Sequence, residues 1–205
     1  MGTFNTYGER KRSYGGAYPV WLTVSQKERC GGTLKELPPA GSIIPAGTPV
    51  SIESNIATPI VIYQVIGMPK AAFELATNHN TVQPTVGMTL MIAPKTYPTS
   101  ESLKGCTVKS VEKDPDSGNY KITFVESFGS VWADMILISC DKAGTSCKLN
   151  AIPTGLTEND VWIEDGDTAA TVASVFHGEI MEDRIQPIPD FLKQYLPMIK
   201  FVKGV

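Results

Sequence analysis

A chain of 205 residues, with 18 Lys and Arg against 21 Asp and Glu, is long enough to bury one sizeable core. The near balance of charge excludes a general nucleic-acid binder, which would carry a strong basic excess. No stretch approaches the roughly 20 apolar residues that span a bilayer, and the polar, Gly-rich opening MGTFNTYGERKRSYGG lacks the apolar centre of a signal peptide. A soluble protein made in a cytoplasm, with no membrane partner, is therefore expected.

Residues 1–18 read as a flexible arm, with glycines at 2, 8, 15 and 16 set among Tyr7, Tyr14 and Tyr18. Such a segment orders against a partner, or it is a tail with no function of its own. From Pro19 onward, Val20, Leu22 and Val24 alternate with Trp21, Thr23 and Ser25, the pattern of a first strand. Between Leu34 and Ile52, prolines at 38, 39, 45 and 49 and glycines at 41 and 47 forbid a long helix. Short extended pieces joined by tight turns are expected there. The run Ile60–Ile66 is β-branched and almost wholly apolar, which predicts a strand buried on both faces.

Signals weaken from Met68 to Pro98, where Ala71–Ala76 suggests a helical turn or two. They sharpen again at Cys106–Glu112, the turn DPDSGN at Asp114–Asn119, and Tyr120–Val125, which together spell strand, turn, strand. Val131–Ser139 is a further apolar segment, closed by a loop over Asp141–Lys148. Val161–Ile163, the turn Glu164–Asp167 and Thr168–Phe176 suggest a second hairpin. Ile188, Phe191, Leu192, Tyr195, Leu196 and Ile199 fall on one helical stripe, so a short C-terminal helix starting at Asp190 and ended or bent by Pro197 is predicted to pack on the sheet. No repeat or break in composition marks a second folded unit. The expectation is a mainly β protein: an arm over residues 1–18, and one β-rich domain over residues 19–205.

The residues offer little catalytic machinery. The strained elbow G-x-S-x-G is absent, as are G-x-G-x-x-G and the P-loop pattern. His177, in Phe176–Glu179, is expected at the end of a strand as a satisfied or solvent-facing side chain. A cysteine hydrolase would have to use Cys106 or Cys140 with that histidine. Cys30, Cys106, Cys140 and Cys147 form no C-x-x-C pair, so no structural metal is expected. Cys140 and Cys147 could join if oxidised, though reduced thiols are expected in a cytoplasmic product. The carboxylates Asp160, Glu164, Asp165 and Asp167 lack the ligand spacing of an EF-hand and read as a turn. Glu179, Glu182 and Asp183 form a second acidic group. Trp132 and Trp162 could stack on sugars if exposed, but both sit in apolar, strand-like runs where a core tryptophan is expected. The expected protein is not an enzyme and takes no cofactor.

Three stretches resemble a known group of proteins. These are AGSIIPAGTPV at Ala40–Val50, the strand–turn–strand and apolar run of Gly105–Ile138, and GLTENDVWIEDGDTAATVASVFHGEIMEDRI at Gly155–Ile185. In order and spacing they resemble the head-fibre and capsid-decoration proteins of tailed bacteriophages, the head-fibre type of phages infecting Bacteroidetes foremost and the lambdoid decoration proteins more distantly. The resemblance implies a compact β-tulip-like barrel or sandwich, usually trimeric, on the outer capsid surface of the virion. It implies the major capsid protein and further copies of the chain as partners, a trimer ahead of a dimer, with other head proteins beside them and no nucleic acid. Stabilising the head, displaying a surface for host contact, or both would be its work. Tyr7, Arg10, Lys11, Arg12, Tyr14, Tyr18 and Trp21 are the candidate capsid-binding residues: aromatic anchors plus cations for acidic rim groups. A tail-associated or carbohydrate-binding β module is the competing expectation.

Overall fold

The computed structural model describes residues 20–29, 31–67, 72–76, 81–97, 103–128 and 135–204. The arm over 1–18, with Tyr7, Arg10, Lys11, Arg12, Tyr14 and Tyr18, lies outside the described residues, as do Cys30, His79 and Trp132.

The fold is mainly β. Six strands close into an antiparallel ring: β6 (Ile62–Gly67), β7 (Phe73–Leu75), β8 (Thr89–Ile92), β9 (Lys104–Lys113), β10 (Tyr120–Phe124) and β11 (Ile136–Ser139). Their hydrogen-bonded order runs β10-β7-β6-β11-β8-β9, and β9 returns to β10, so this small barrel leaves no open edge along that path. A two-residue strand, β12 (Gly144–Thr145), adds to the lower half of β9.

A second sheet is built from β1 (Trp21–Lys27), β2 (Gly32–Leu34), β4 (Pro49–Glu53), β5 (Ile56–Pro59), β13 (Gly155–Thr157), β15 (Thr171–Val172), β16 (Ser174–Met181) and β17 (Ile199–Val202). Its order is β1-β16-β13-β4-β5-β2-β15, with β17 also paired to β16. Two short strands, β3 (Ile43–Ile44) and β14 (Val161–Trp162), pair on their own. The turn from β4 to β5 uses Ser54 and Asn55, both left-handed at φ 52° and 64°, as a two-residue hairpin turn requires.

Alternation divides the barrel strands between two apolar clusters. Tyr63 and Val65, Phe73 and Leu75, Leu90, Val108, Ile122 and Leu137 belong to one, which also takes in Leu34, Val50, Ala57 and Val172 of the second sheet. Ile62, Met91 and Ile138, the intervening residues, belong to the other, where they meet Leu156, Val175 and Ile180 from the second sheet. The apolar run of Ile60–Ile66 is explained by this division: Ile60 to Tyr63 and Val65 are buried, and only its end, Ile66, emerges into solvent. Phe73, Phe124 and Phe128 stack edge to face, with centroids 4.8–5.8 Å apart.

Three expectations need correction, and one strand went unpredicted. Ala71–Ala76 is not helical among its described residues: Phe73–Leu75 is a strand held between β6 and β10, because both its apolar residues face the ring. Thr89–Ile92, in the stretch of weak signals, is a strand buried at its centre. The second hairpin does not form either. β14 pairs β3, while β15 pairs β2 and β16 pairs β13, so the turn at Glu164–Asp167 separates strands that go to different neighbours. The C-terminal helix, α1 (Asp190–Lys193), begins at the expected residue but lasts one turn. Ile199, the last residue of the helical stripe, instead opens β17, parallel to β16. Ile188, Phe191, Leu192, Leu196 and Ile199 are nevertheless all buried in the second cluster, as a stripe packed on the protein's own sheet demands.

Candidate functional site

Two of the three stretches quoted above fold as one unit. Turn 45–48 lies against β13: Thr48 N donates to Thr157 Oγ1 at 2.9 Å, and Thr157 Oγ1 donates to Pro45 O at 2.6 Å. Backbone bonds run both ways beside them, Gly47 N to Thr157 O and Thr157 N to Thr48 O, each 2.9 Å. Ala46 N donates to Asp160 Oδ1 at 2.8 Å, and β3 pairs with β14 through Ile44–Val161 and Ile43–Trp162. A-G-T-P-V and N-D-V are thus two halves of one structure, although more than a hundred residues separate them. Gly155 is required in this unit by close approach. A Cβ there would sit 2.6 Å from Val175 O, and nearer still to Ser174 Oγ.

Trp21 is the one described member of the candidate capsid-binding set. Its indole Nε1 donates to Thr157 O at 3.2 Å, and its ring packs on the second cluster. Trp21 therefore anchors β1 to the unit just described. The opposite face of β1 carries Leu22 and Val24, 46% and 41% exposed, so the strand turns its tryptophan inward and its aliphatic residues outward.

The thiols lie far from reactive chemistry. Cys106, Cys140 and Cys147 are buried and free. Burial pushes the Cys106 thiol up to about 11 and the Cys140 thiol to about 12, and burial raises Cys147 as well. Cys140 Sγ contacts Lys142 O at 3.5 Å, and Cys147 Sγ contacts Met91 Sδ at 3.6 Å. A thiolate nucleophile needs the reverse shift. His177 sits within β16, opposite Gln26 of β1, rather than at a strand end, and its Nδ1 has no hydrogen-bond partner among the described residues. Iodoacetamide at pH 7.5 should therefore label these three cysteines at least about a hundredfold more slowly in the folded protein than in denaturant. Peptide mass spectrometry reads this directly, and a fast-reacting Cys106 or Cys140 would favour the cysteine-hydrolase alternative.

The acidic groups have separate uses. Glu179 pairs with Lys200 at 2.9 Å and Glu182 with Lys193, which ties β16 and the 3-10 turn Glu182–Arg184 to the C-terminal segment. Lys193 Nζ also lies 5.3 Å from the Phe201 ring centroid. Glu164–Asp167 is a turn: Asp167 N donates to Glu164 O at 3.3 Å, Glu164 N donates to Asp167 Oδ2 at 2.8 Å, and Gly166 is left-handed at φ 89°. No group of three or more His, Cys, Asp or Glu is placed to hold a metal among the described residues.

Trp162 departs from expectation. It is 45% exposed rather than a core residue, and it borders an open hollow of about 360 Å³ whose lining includes Asn159, Asp160, Glu164, Asp167 and Thr171. The cause is local. Ile163 is buried and Val161 packs on the first cluster, so alternation forces the tryptophan between them onto the outer face. The NDVWIEDGD stretch already spelled an aromatic residue among hydroxyl-binding side chains; only its facing was hidden. A second recess of about 440 Å³ lies between the sheets, bordered by Leu37, Ile44, Val61, Ser139 and Asn150. Ser139 Oγ donates there to Asn150 Oδ1 at 3.0 Å, and Asn150 Nδ2 to Pro59 O at 3.3 Å, so these two side chains hold the chain together at its rim. Compared with known proteins, the chain matches no family model, no curated protein and no solved structure.

Proposed function

We propose that this chain is a non-enzymatic structural protein of a tailed-phage virion, seated on the outer capsid surface as a head-fibre or decoration protein. One observation carries the reading: the segments at Ala40–Val50 and Gly155–Ile185, two of the three on which the resemblance rests, are bonded into a single unit at the centre of the second sheet. A shared pattern that coincides with one folded unit is better support than the same residues scattered over unrelated loops.

The physics of the body suits such work. A closed barrel packed on a second sheet gives a rigid block whose surface can repeat across a lattice. Modest contacts become strong there through symmetry and avidity. The major capsid protein and further copies of this chain, as a trimer, are the partners. The arm over residues 1–18 would lie along the capsid, with Tyr7, Tyr14 and Tyr18 as anchors and Arg10, Lys11 and Arg12 meeting acidic groups. Leu22 and Val24 add exposed apolar side chains on β1.

Co-sedimentation with empty heads lacking this chain tests the proposal. The full chain should saturate the heads at a fixed, symmetric ratio, and a variant beginning at residue 19 should elute as the same oligomer yet lose at least about tenfold in binding. Absence of the chain from the heads in an electron cryo-microscopy map of purified virions would overturn it. Equal binding by the shortened variant would remove the arm from the account.

A further inference from the structure

We infer that the hollow beside Trp162 is a binding site for neutral saccharides. Protein sites for sugars combine an exposed aromatic face, which covers the C–H side of a pyranose ring, with fixed polar groups that take its hydroxyls. An exposed tryptophan and several polar side chains border the hollow together. Trp162 presents nearly half its surface on the outer side of β14, and its backbone is held by pairing with Ile43. Facing the same hollow are Asn159, Asp160, Glu164, Asp167 and Thr171.

Two of these carboxylates are oriented before any ligand arrives. Asp160 spends one oxygen on Ala46 N at 2.8 Å, and Asp167 spends one on Glu164 N at 2.8 Å. In each case the second oxygen is available to accept a hydroxyl hydrogen. Acceptors fixed by backbone donors lose little entropy on binding, which is what a weakly hydrophobic ligand needs. The volume, about 360 Å³, falls in the small-ligand range and would take one ring with part of the next.

Charge selects the class of sugar. Asp160, Glu164 and Asp167 line the hollow, and no Lys or Arg does so among the described residues. Uronic acids and sialic acids would meet the like charge of Asp160 and Asp167. Neutral hexoses and N-acetylhexosamines offer only hydroxyl and amide groups, which match the lining. This recognition belongs to the isolated chain and does not depend on a seat on the capsid.

The test is an array of neutral hexose and N-acetylhexosamine oligosaccharides printed beside sialylated and uronic-acid oligosaccharides, probed with the full chain. The best neutral oligosaccharide is then titrated by calorimetry. Wild type should retain neutral sugars, and Trp162→Ala should weaken them more than tenfold while Trp162→Phe stays within a few-fold. Thr171→Arg, which fills the hollow from an exposed position, should weaken binding equally at an unchanged melting temperature, and this separates a blocked site from a misfolded one. Failure of wild type to retain any neutral sugar, wild-type affinity in either Trp162→Ala or Thr171→Arg, or preference for the anionic sugars would each overturn the inference.

Discussion

Phe191→Ala should lower the unfolding free energy by about 4 kcal/mol, a large share of what a domain of this size possesses. The side chain is 1% exposed although it sits on a helix of four residues, far below the length at which a helix holds itself together. The turn at Asp190–Lys193 exists because Phe191 and Leu192 are buried against the second cluster, beside Leu196, Ile199 and the Tyr97 ring 6.1 Å away. Truncation leaves a cavity at the point where the chain swings from α1 into β17. The parallel pairing of Gly178–Met181 with Ile199–Val202 should weaken with it. Urea denaturation is the measurement: a lower midpoint at an unchanged slope is expected. A loss under about 1 kcal/mol would mean that the C-terminal segment is not part of the cooperative unit.

The same segment shows where the sequence speaks clearly and where it does not. The stripe from Ile188 to Ile199 announces burial, and burial is found. It does not announce conformation, because the spacing that fits a helix also fits one helical turn, two bends and the start of a strand. The hairpin of β9 and β10 was plain because DPDSGN turns the chain back on itself and both strands are long. Asp114 there accepts from Lys121 at 2.7 Å and from the Asp116 backbone N–H at 3.0 Å, and these bonds, the lysine's foremost, lower its carboxyl to about 2. β7 and β8 were opaque for the opposite reason. Three or four residues between prolines carry too little period, and each strand is held on one side by a partner more than forty residues away, β10 for β7 and β11 for β8. The exposed face of Trp162 was hidden by the pairing of β14 with β3, a contact spanning more than a hundred residues that no local pattern encodes. Turn chemistry is local and legible, whereas partner choice in a sheet of short strands is not.

That long-range choice rests largely on one hydroxyl. Thr157→Val should cost about 2–3 kcal/mol even though the two side chains are nearly the same size, because valine removes a donor and an acceptor from a site of zero exposure. Pro45 O would keep its 2.8 Å bond from Thr48 Oγ1, and Thr48 N would keep only a long 3.3 Å contact with Pro45 O. Thr157→Ser retains the hydroxyl, loses one methyl and should cost about 1 kcal/mol. Valine must therefore be the worse replacement; equal or reversed losses would show that packing, not the hydroxyl, joins the two segments. Hydrogen exchange gives the local consequence. Ile163 N donates to Ser42 O at 3.0 Å and Gly41 N to Ile163 O at 2.8 Å, so both amides should exchange faster in the valine variant than in the serine variant. Since these bonds set the position of β14 and hence of the Trp162 face, loosening them should also weaken whatever the hollow binds, without altering any residue that lines it.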